Sequence, residues 1–409
     1  MKKLIELQGI VQNYHWGMGS ESLVAKLSGQ TSSNDKYAEL WIGTHPRGVA
    51  TVLDGDREQS LKDLIECDPV QILGSASKDK ALPFLFKILS VGLPLSIQAH
   101  PNALHAQRLY SEDLARAEAD PDFKVRYADP FPKPEVGIAL SDVELLYGFR
   151  SRQDITGFLN PSSEVFVEEF YEVVGQSIGA AMASTSVPYS EALRALYTKV
   201  FASSSETIER GCQRMFDRLR AKESVTSEER WILELEKVFP SGDVGLFSFF
   251  ILNLVTLKPM EALFIGPNIA HAYLRNQLAE CMAPSDNVVR AGLTVKPIDV
   301  ETLLEMLDYE EQQPEVLRCQ GLDNGYGEYP IPQNGFFQLG MFSGGACTEL
   351  AISSNQGVEL LFSLDASGEV KVGSEVVEVR PGTALLVPDV VPGYAISLIS
   401  GHLIRLQTQ

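Results

Sequence analysis

Cysteine is scarce: the 409 residues hold five (Cys67, Cys212, Cys281, Cys319 and Cys347), scattered, odd in number and without a CxxC pair. That excludes a disulfide framework and a thiolate zinc site, and points to a reducing compartment. Long apolar runs are missing too. The longest, Leu246 to Leu257, is interrupted by Ser248, Asn253 and Thr256 and is too short to span a bilayer, so it reads as a buried element. The opening MKK leads into LIELQGI, which Glu6 interrupts and which lacks a small-residue cleavage site. No export signal is expected there, and the expected location is cytoplasmic. Positive charge is also short, with 34 Lys and Arg against 54 Asp and Glu and a net charge of −20. A field of that sign repels phosphate polymers, so neither nucleic acid nor an anionic membrane is the expected partner. A small anionic substrate would need a local cluster of cations.

Three patterns divide the chain. Residues 1–150 are short apolar runs broken by Gly, Pro and Asn, densest from Leu82 to Ile97, as in irregular β structure. Over 151–245 the period becomes helical: Ile208, Cys212, Met215 and Leu219 recur at helix spacing, as do Trp231, Ile232, Leu235 and Val238. Thr226 followed by Glu229 forms a capping box opening the second of these helices. Beyond Gly245 the β pattern resumes, and 310–409 reads as an antiparallel lobe. One internal echo links the β segments: KPMEALFIGPNIAHAYL from Lys258 to Leu274 aligns with RPGTALLVPDVVPGYAI from Arg380 to Ile396. His271 then falls opposite Gly393, so the tail lacks a metal-binding side chain at that place and reads as a scaffold or lid.

Some residue types converge on metal chemistry. In SIQAHP, Gln98 and His100 are two apart and share a face if the segment is a strand, although a lone His beside a Pro is as a rule a packed residue. Glu135 opens an apolar run with Lys133 two residues before it, a pair that on the surface would be an ordinary ion pair. His271 follows a Gly-Pro-Asn turn where a strand begins. One Gln, two His and one Glu suit zinc or a similar divalent ion. ECMAPSDNVVRAGLTVK places Glu280, Asp286, Arg290 and Lys296 close together, either as a solvated loop or as charges meeting a ligand.

Read together and in order, QNYHWG, YAELWIGTHPRG, LPFLFKILSVGLPLSIQAHPN, KPE, HAYL and MAPSDNVVRAGLTVK resemble the type I mannose-6-phosphate isomerase family. The resemblance spans most of the first 150 residues and about 250 to 300. It implies a mainly β fold of two cupin-type (jelly-roll) lobes with an inserted α-helical domain: a catalytic lobe from 1–150 plus 246–309, a helical insert at 151–245, and a metal-free lobe at 310–409. It implies one zinc ion per chain on Gln98, His100, Glu135 and His271, a catalytic arginine at Arg290, and a pocket lined by Lys87, Ser96, Lys133, Tyr273, Glu280, Asp286 and Lys296 with Trp16 at its edge. His15, His45, His105 and His402 are left off the metal, His45 as the holder of a turn and His105 as a helix residue. The chain departs from the family at Phe131 and Pro132, where Asn-His is usual, and at Asn276, where Gly is usual. Asn is among the few residues that tolerate a left-handed backbone.

The implied reaction interconverts mannose 6-phosphate and fructose 6-phosphate by proton transfer between C1 and C2. Arg290 would stabilise developing charge, either Glu280 or Asp286 would move the proton, and Lys87, Lys133, Lys296 and Ser96 are candidates for the phosphate. A phosphosugar is thus the expected partner, with a monomer favoured. Two other readings stand beside it: a metal-dependent cupin oxygenase, and a sugar-phosphate-binding module without turnover.

Overall fold

The computed structural model describes residues 2–30, 32, 35–54, 57–74, 81–345, 349–353 and 357–409. Among these residues, eleven strands form one sheet and eight another, with a four-stranded sheet and a small hairpin beside them, all paired antiparallel. Cys347 lies outside the described residues, and the other four cysteines are free thiols.

The larger sheet is organised around Leu85–Val91, whose seven residues are all buried. It pairs with Glu39–Ile42 on one side and His271–Met282 on the other. A strand covered on both faces shows a continuous apolar run instead of alternation, which is why this stretch was the densest in the chain. Its exceptions, Lys87 and Ser90, therefore need partners inside the protein. The twelve-residue strand His271–Met282 changes neighbours midway. Its first half faces Val143–Phe149 and Gln98, and its second half faces Glu135–Ala139 and Leu85–Val91. Asn276 stands at the changeover with φ 76°, and its side chain donates 2.5 Å to the Asp142 carbonyl. Asparagine thus adopts there the left-handed backbone for which the family usually has glycine.

Six α-helices between Arg152 and Glu236 form the insert. Ile208, Cys212, Met215 and Leu219 make the buried face of Ser205–Arg220, and Trp231, Ile232 and Leu235 that of Ser227–Glu236. The capping box is present, with Thr226 Oγ1 accepting from the Glu229 amide at 3.3 Å and Glu229 Oε2 from the Thr226 amide at 3.1 Å. Val238 departs from expectation: the helix ends at Glu236, ahead of Pro240 and Gly242, and Val238 is 40% exposed. The Leu246 to Leu257 run is a buried 3₁₀ turn followed by the strand Leu252–Leu257.

The β segments exchange strands. Ile5–Gln8 pairs with Ala384–Val387 in the sheet of the tail, and Val316–Arg318 pairs with Glu261–Ile265 in the larger sheet. One hydrophobic core joins Ile5, Phe86, Val136, Phe362 and Leu386, with the Phe86 and Phe362 rings 4.9 Å apart. The internal echo is structural as well. His271 opens its strand as Gly393 opens Gly393–Ser400, and Glu135 opposes Ile265 as Glu359 opposes Val387. Glu280 opposes Gly137 as Arg405 opposes Leu361. The second lobe thus keeps a buried carboxylate, Glu359, in the place of Glu135 and balances it with Arg405 through two 2.8 Å hydrogen bonds.

Candidate metal centre and active site

The turn before His271 brings the first lobe's donors together. Asn268, at φ 62°, turns the chain so that its amide donates 2.7 Å to the His100 carbonyl and its Oδ1 accepts from the Asn102 amide. His271 then starts a strand directly opposite Gln98, and Arg290, on Val289–Gly292, is also in register with Gln98. Ligand atoms of His100, Glu135 and His271 lie within 4.8 Å of one another, and all three residues are buried.

Each imidazole is oriented by its far nitrogen. His100 Nδ1 lies 2.7 Å from the Asn287 carbonyl and His271 Nδ1 2.9 Å from the Ile269 carbonyl, so both Nδ1 atoms carry the proton as donors. The Nε2 lone pairs are left pointing inward, 3.4 and 3.3 Å from Glu135 Oε2. Among the described residues, none of these three inward atoms has a hydrogen-bond partner. Three acceptors buried against each other are costly unless a cation sits among them, and this donor set suits zinc. Burial, followed by the Lys133 charge, pushes the His100 imidazolium down to about 4, which keeps the ring neutral as a ligand must be. Burial acts to raise the Glu135 carboxyl, but the Lys133 charge outweighs it and holds the carboxyl well below the usual range.

Around this centre the charges sort into paired and unpaired. Lys133 Nζ is 2.9 Å from Glu135 Oε1. Lys87 Nζ is 3.3 Å from Glu280 and 4.0 Å from Glu39, and sits 5.1 Å from the Trp41 ring, whose Nε1 donates to Glu39. Burial would lower the Lys87 ammonium, yet Glu39 and then Glu280 raise it, so it stays charged. Glu280 is raised, by burial first and the Glu135 charge second. Asp286 goes the other way: burial opposes, but His45 at 3.0 Å and Arg47 at 2.7 Å bring it to about 2. Arg290 is half-buried and, among the described residues, makes no side-chain hydrogen bond or ion pair; burial lowers it. Lys296 is exposed and is lowered by the nearby Arg290 charge and then by burial.

The remaining sequence candidates stand close by. Tyr273 carries its hydroxyl over Gly137, where an added Cβ would come within 2.6 Å of it. Burial, then the charges of Glu280 and Glu135, push the phenol well up. Trp16 packs against the apolar cluster that contains Leu89 and Tyr273, stacks on Tyr14 at 5.7 Å, and accepts at its carbonyl from the Gly92 and Leu93 amides. Ser96 precedes the strand Ile97–Ala99 and is half-buried. His45 holds its turn, with Nδ1 accepting from the Arg47 amide, and His105 lies in the first turn of the helix Ala103–Ala119. Sequence reasoning missed Glu39, Arg47, Tyr14 and Asn287. The first three lie inside the motifs YAELW, THPRG and QNYHWG, and for Glu39 the available signal was a charged residue in a buried strand. Asn287 is wholly buried and ties Ala128, Asp129 and Phe131 to the segment that orients His100.

Comparison with known proteins agrees with this architecture. The family model described as phosphomannose isomerase type I, catalytic domain, matches residues 4–152, and that described as its helical insertion domain matches residues 172–252. Mannose-6-phosphate isomerase from Bos taurus is 39% identical over 329 residues, covering 75% of this chain and 74% of its own. Mannose-6-phosphate isomerase 2 from Arabidopsis thaliana is 33% identical over 406 residues, covering 95% and 89%. The crystal structure of mannose 6-phosphate isomerase from Salmonella typhimurium bound to substrate (fructose 6-phosphate) and zinc superposes with a TM-score of 0.84 at 28% identity, covering 100% of both chains. These matches bear out the expected fold of cupin-type lobes with a helical insert, and none of these relatives is an oxygenase. On the strength of sequence and architecture together, the chain belongs to the type I phosphomannose isomerase family.

Proposed function

We propose that this protein is a zinc-dependent isomerase that interconverts mannose 6-phosphate and fructose 6-phosphate by moving a proton between C1 and C2. The observation that carries the reading is the set of three buried ligand atoms of His100, Glu135 and His271, without hydrogen-bond partners among the described residues, found in a member of this family. Gln98, opposite His271, is the fourth zinc ligand in this reading. Zinc bound there supplies fixed positive charge beside the sugar oxygens, where an enediolate-like state develops negative charge.

The chain's own groups divide the remaining work. Glu280 takes the proton from one carbon and returns it to the other, because it is buried and raised, whereas Asp286 near 2 is too weak a base. Lys87 holds Glu280 in place and Lys133 does the same for Glu135. Arg290, with no protein partner among the described residues, is available for negative charge on the substrate oxygen. Lys296 and Ser96 take the phosphate, which orients C1 and C2 against Glu280. Trp16 and Tyr273 wall the pocket and limit water. The catalytic lobe, helical insert and metal-free lobe assigned from sequence remain the units of this reading, with Ile5–Gln8 and Val316–Arg318 as strands shared between lobes. A single chain supplies every group named, which supports a monomer. Four free thiols suit a cytoplasmic setting.

The test pairs Arg290→Ala with Glu280→Gln in a coupled isomerase assay. Each is expected to keep zinc and fold while kcat falls by about 10²–10³. An unchanged kcat would remove that residue from the mechanism.

A further inference from the structure

The segment that carries Arg290 is bent and strained just beyond the arginine. Arg290 pairs with Gln98 and Gly292 with Ile97, so the register slips by one residue at Ala291. Such a bulge re-aims the side chain beside it. Leu293 follows at φ 50°, a left-handed conformation that a leucine adopts only where its surroundings impose it. Leu293 is 4% exposed, so solvent does not impose it.

A carboxylate from the helical insert does. Asp243 Oδ1 accepts from the Leu293 amide at 2.6 Å and from the Gly245 amide at 2.7 Å. The backbones also meet directly: a Cβ on Gly292 would lie 2.5 Å from the Gly245 Cα. The turn that carries Asp243 is seated on the helix Ser205–Arg220. Cys212 Sγ donates to the Asp243 carbonyl at 3.8 Å, and a Cβ on Gly242 would fall 2.5 Å from the Cys212 Cβ. Arg290 makes no side-chain hydrogen bond or ion pair among the described residues, so no polar partner of its own fixes the guanidinium and the course of its backbone sets where the side chain starts.

We infer that Asp243 is a positioning residue for Arg290: it staples the helical insert to the left-handed turn at Leu293 and so fixes where the guanidinium points. The inference rests on the proposed role of Arg290 and adds a task for the helical insert. Asp243 touches neither metal ligand nor substrate in this account, and acts through the backbone at 292–293.

Asp243→Ser separates its two duties. Serine is a good helix-start cap and keeps an acceptor for the Gly245 amide, but its side chain is one atom too short to span to Leu293. Asp243→Asn keeps an oxygen in the same place and serves as rescue. For Asp243→Ser the expected result is a kcat lower by ~10- to 100-fold, the scale of a small misplacement, with zinc stoichiometry unchanged and Asp243→Asn close to wild type. In an Arg290→Ala background, Asp243→Ser is expected to cause no further loss, an outcome that general loosening of the fold does not produce. A loss of equal size in both backgrounds, or no loss in either, would overturn the inference alone. An Arg290→Ala enzyme with wild-type kcat would overturn the role of Arg290 itself.

Discussion

Lys87 is the most informative residue to remove, because two buried carboxylates depend on it. Its ammonium lies 3.3 Å from Glu280 and 4.0 Å from Glu39 within a strand buried along its whole length. Lys87→Met keeps the stem's volume and deletes only the charge. Breaking a buried pair by removing one partner costs about 3–5 kcal/mol, since the remaining charge is left uncompensated. With an unfolding entropy of ~2.1 cal/mol/K per residue over 409 residues, ~4 kcal/mol lowers Tm by about 5 °C. The deficit carries a pH signature. Glu280 is already raised by burial and Glu135, with Lys87 opposing, so losing Lys87 raises it further. A carboxyl whose folded pKa exceeds its unfolded value destabilises the fold in full above that folded pKa, and the penalty shrinks as pH falls below it until it vanishes at the unfolded value. The difference in Tm between wild type and variant is therefore largest at neutral or higher pH and narrows toward the ordinary carboxylate range. Thermal melts of the zinc-loaded proteins across that range measure it. In the same melts, Lys87→Met/Glu280→Gln is expected to lose less than the two single variants summed. A Lys87→Met protein as stable as wild type at pH 7, or a deficit that does not change with pH, would refute the reasoning.

His271→Ala removes one of the inward nitrogens and is expected to lower bound zinc far below one per chain; stoichiometric zinc would exclude His271 as a ligand. Thr226→Ala breaks the capping box at the start of Ser227–Glu236 and should cost about 1 kcal/mol in chemical denaturation with zinc content and kcat unaltered. Arg405→Ala leaves the Glu359 charge buried without its counter-ion in the second lobe, the Tyr394 hydroxyl still donating to it, a loss of about 3–5 kcal/mol. Arg405→Met combined with Glu359→Leu and Tyr394→Phe should recover most of that stability, because an apolar cluster replaces the buried ionic pair and the Tyr394 hydroxyl that donates to Glu359 is not left without an acceptor.

What could be read from the sequence was local. The helix faces through Cys212 and Trp231, the Thr226 cap, and the strand opening at His271 all depend on residues within a turn or two, where spacing carries the information. The pairing of Ile5–Gln8 with Ala384–Val387 depends on contacts between opposite ends of the chain, and apolar alternation does not name a strand's partner. The same divide runs through the site. Gln98, His100, Glu135 and His271 were marked by chemistry that matches a metal. The states of Glu280 and Asp286 could not be separated until the structure gave one a pocket between Lys87 and Glu135 and the other the company of His45 and Arg47. Val238 shows the limit of periodicity, since helix spacing continued past the residue where the hydrogen-bonded helix ends.

The central claim is tested most directly by following conversion of mannose 6-phosphate to fructose 6-phosphate with the purified protein, first as prepared, then after chelation, then with zinc restored. The account predicts turnover that disappears with the metal and returns with it. Metal-replete protein that binds the phosphosugar without converting it, or turnover unaffected by complete removal of metal, would contradict it.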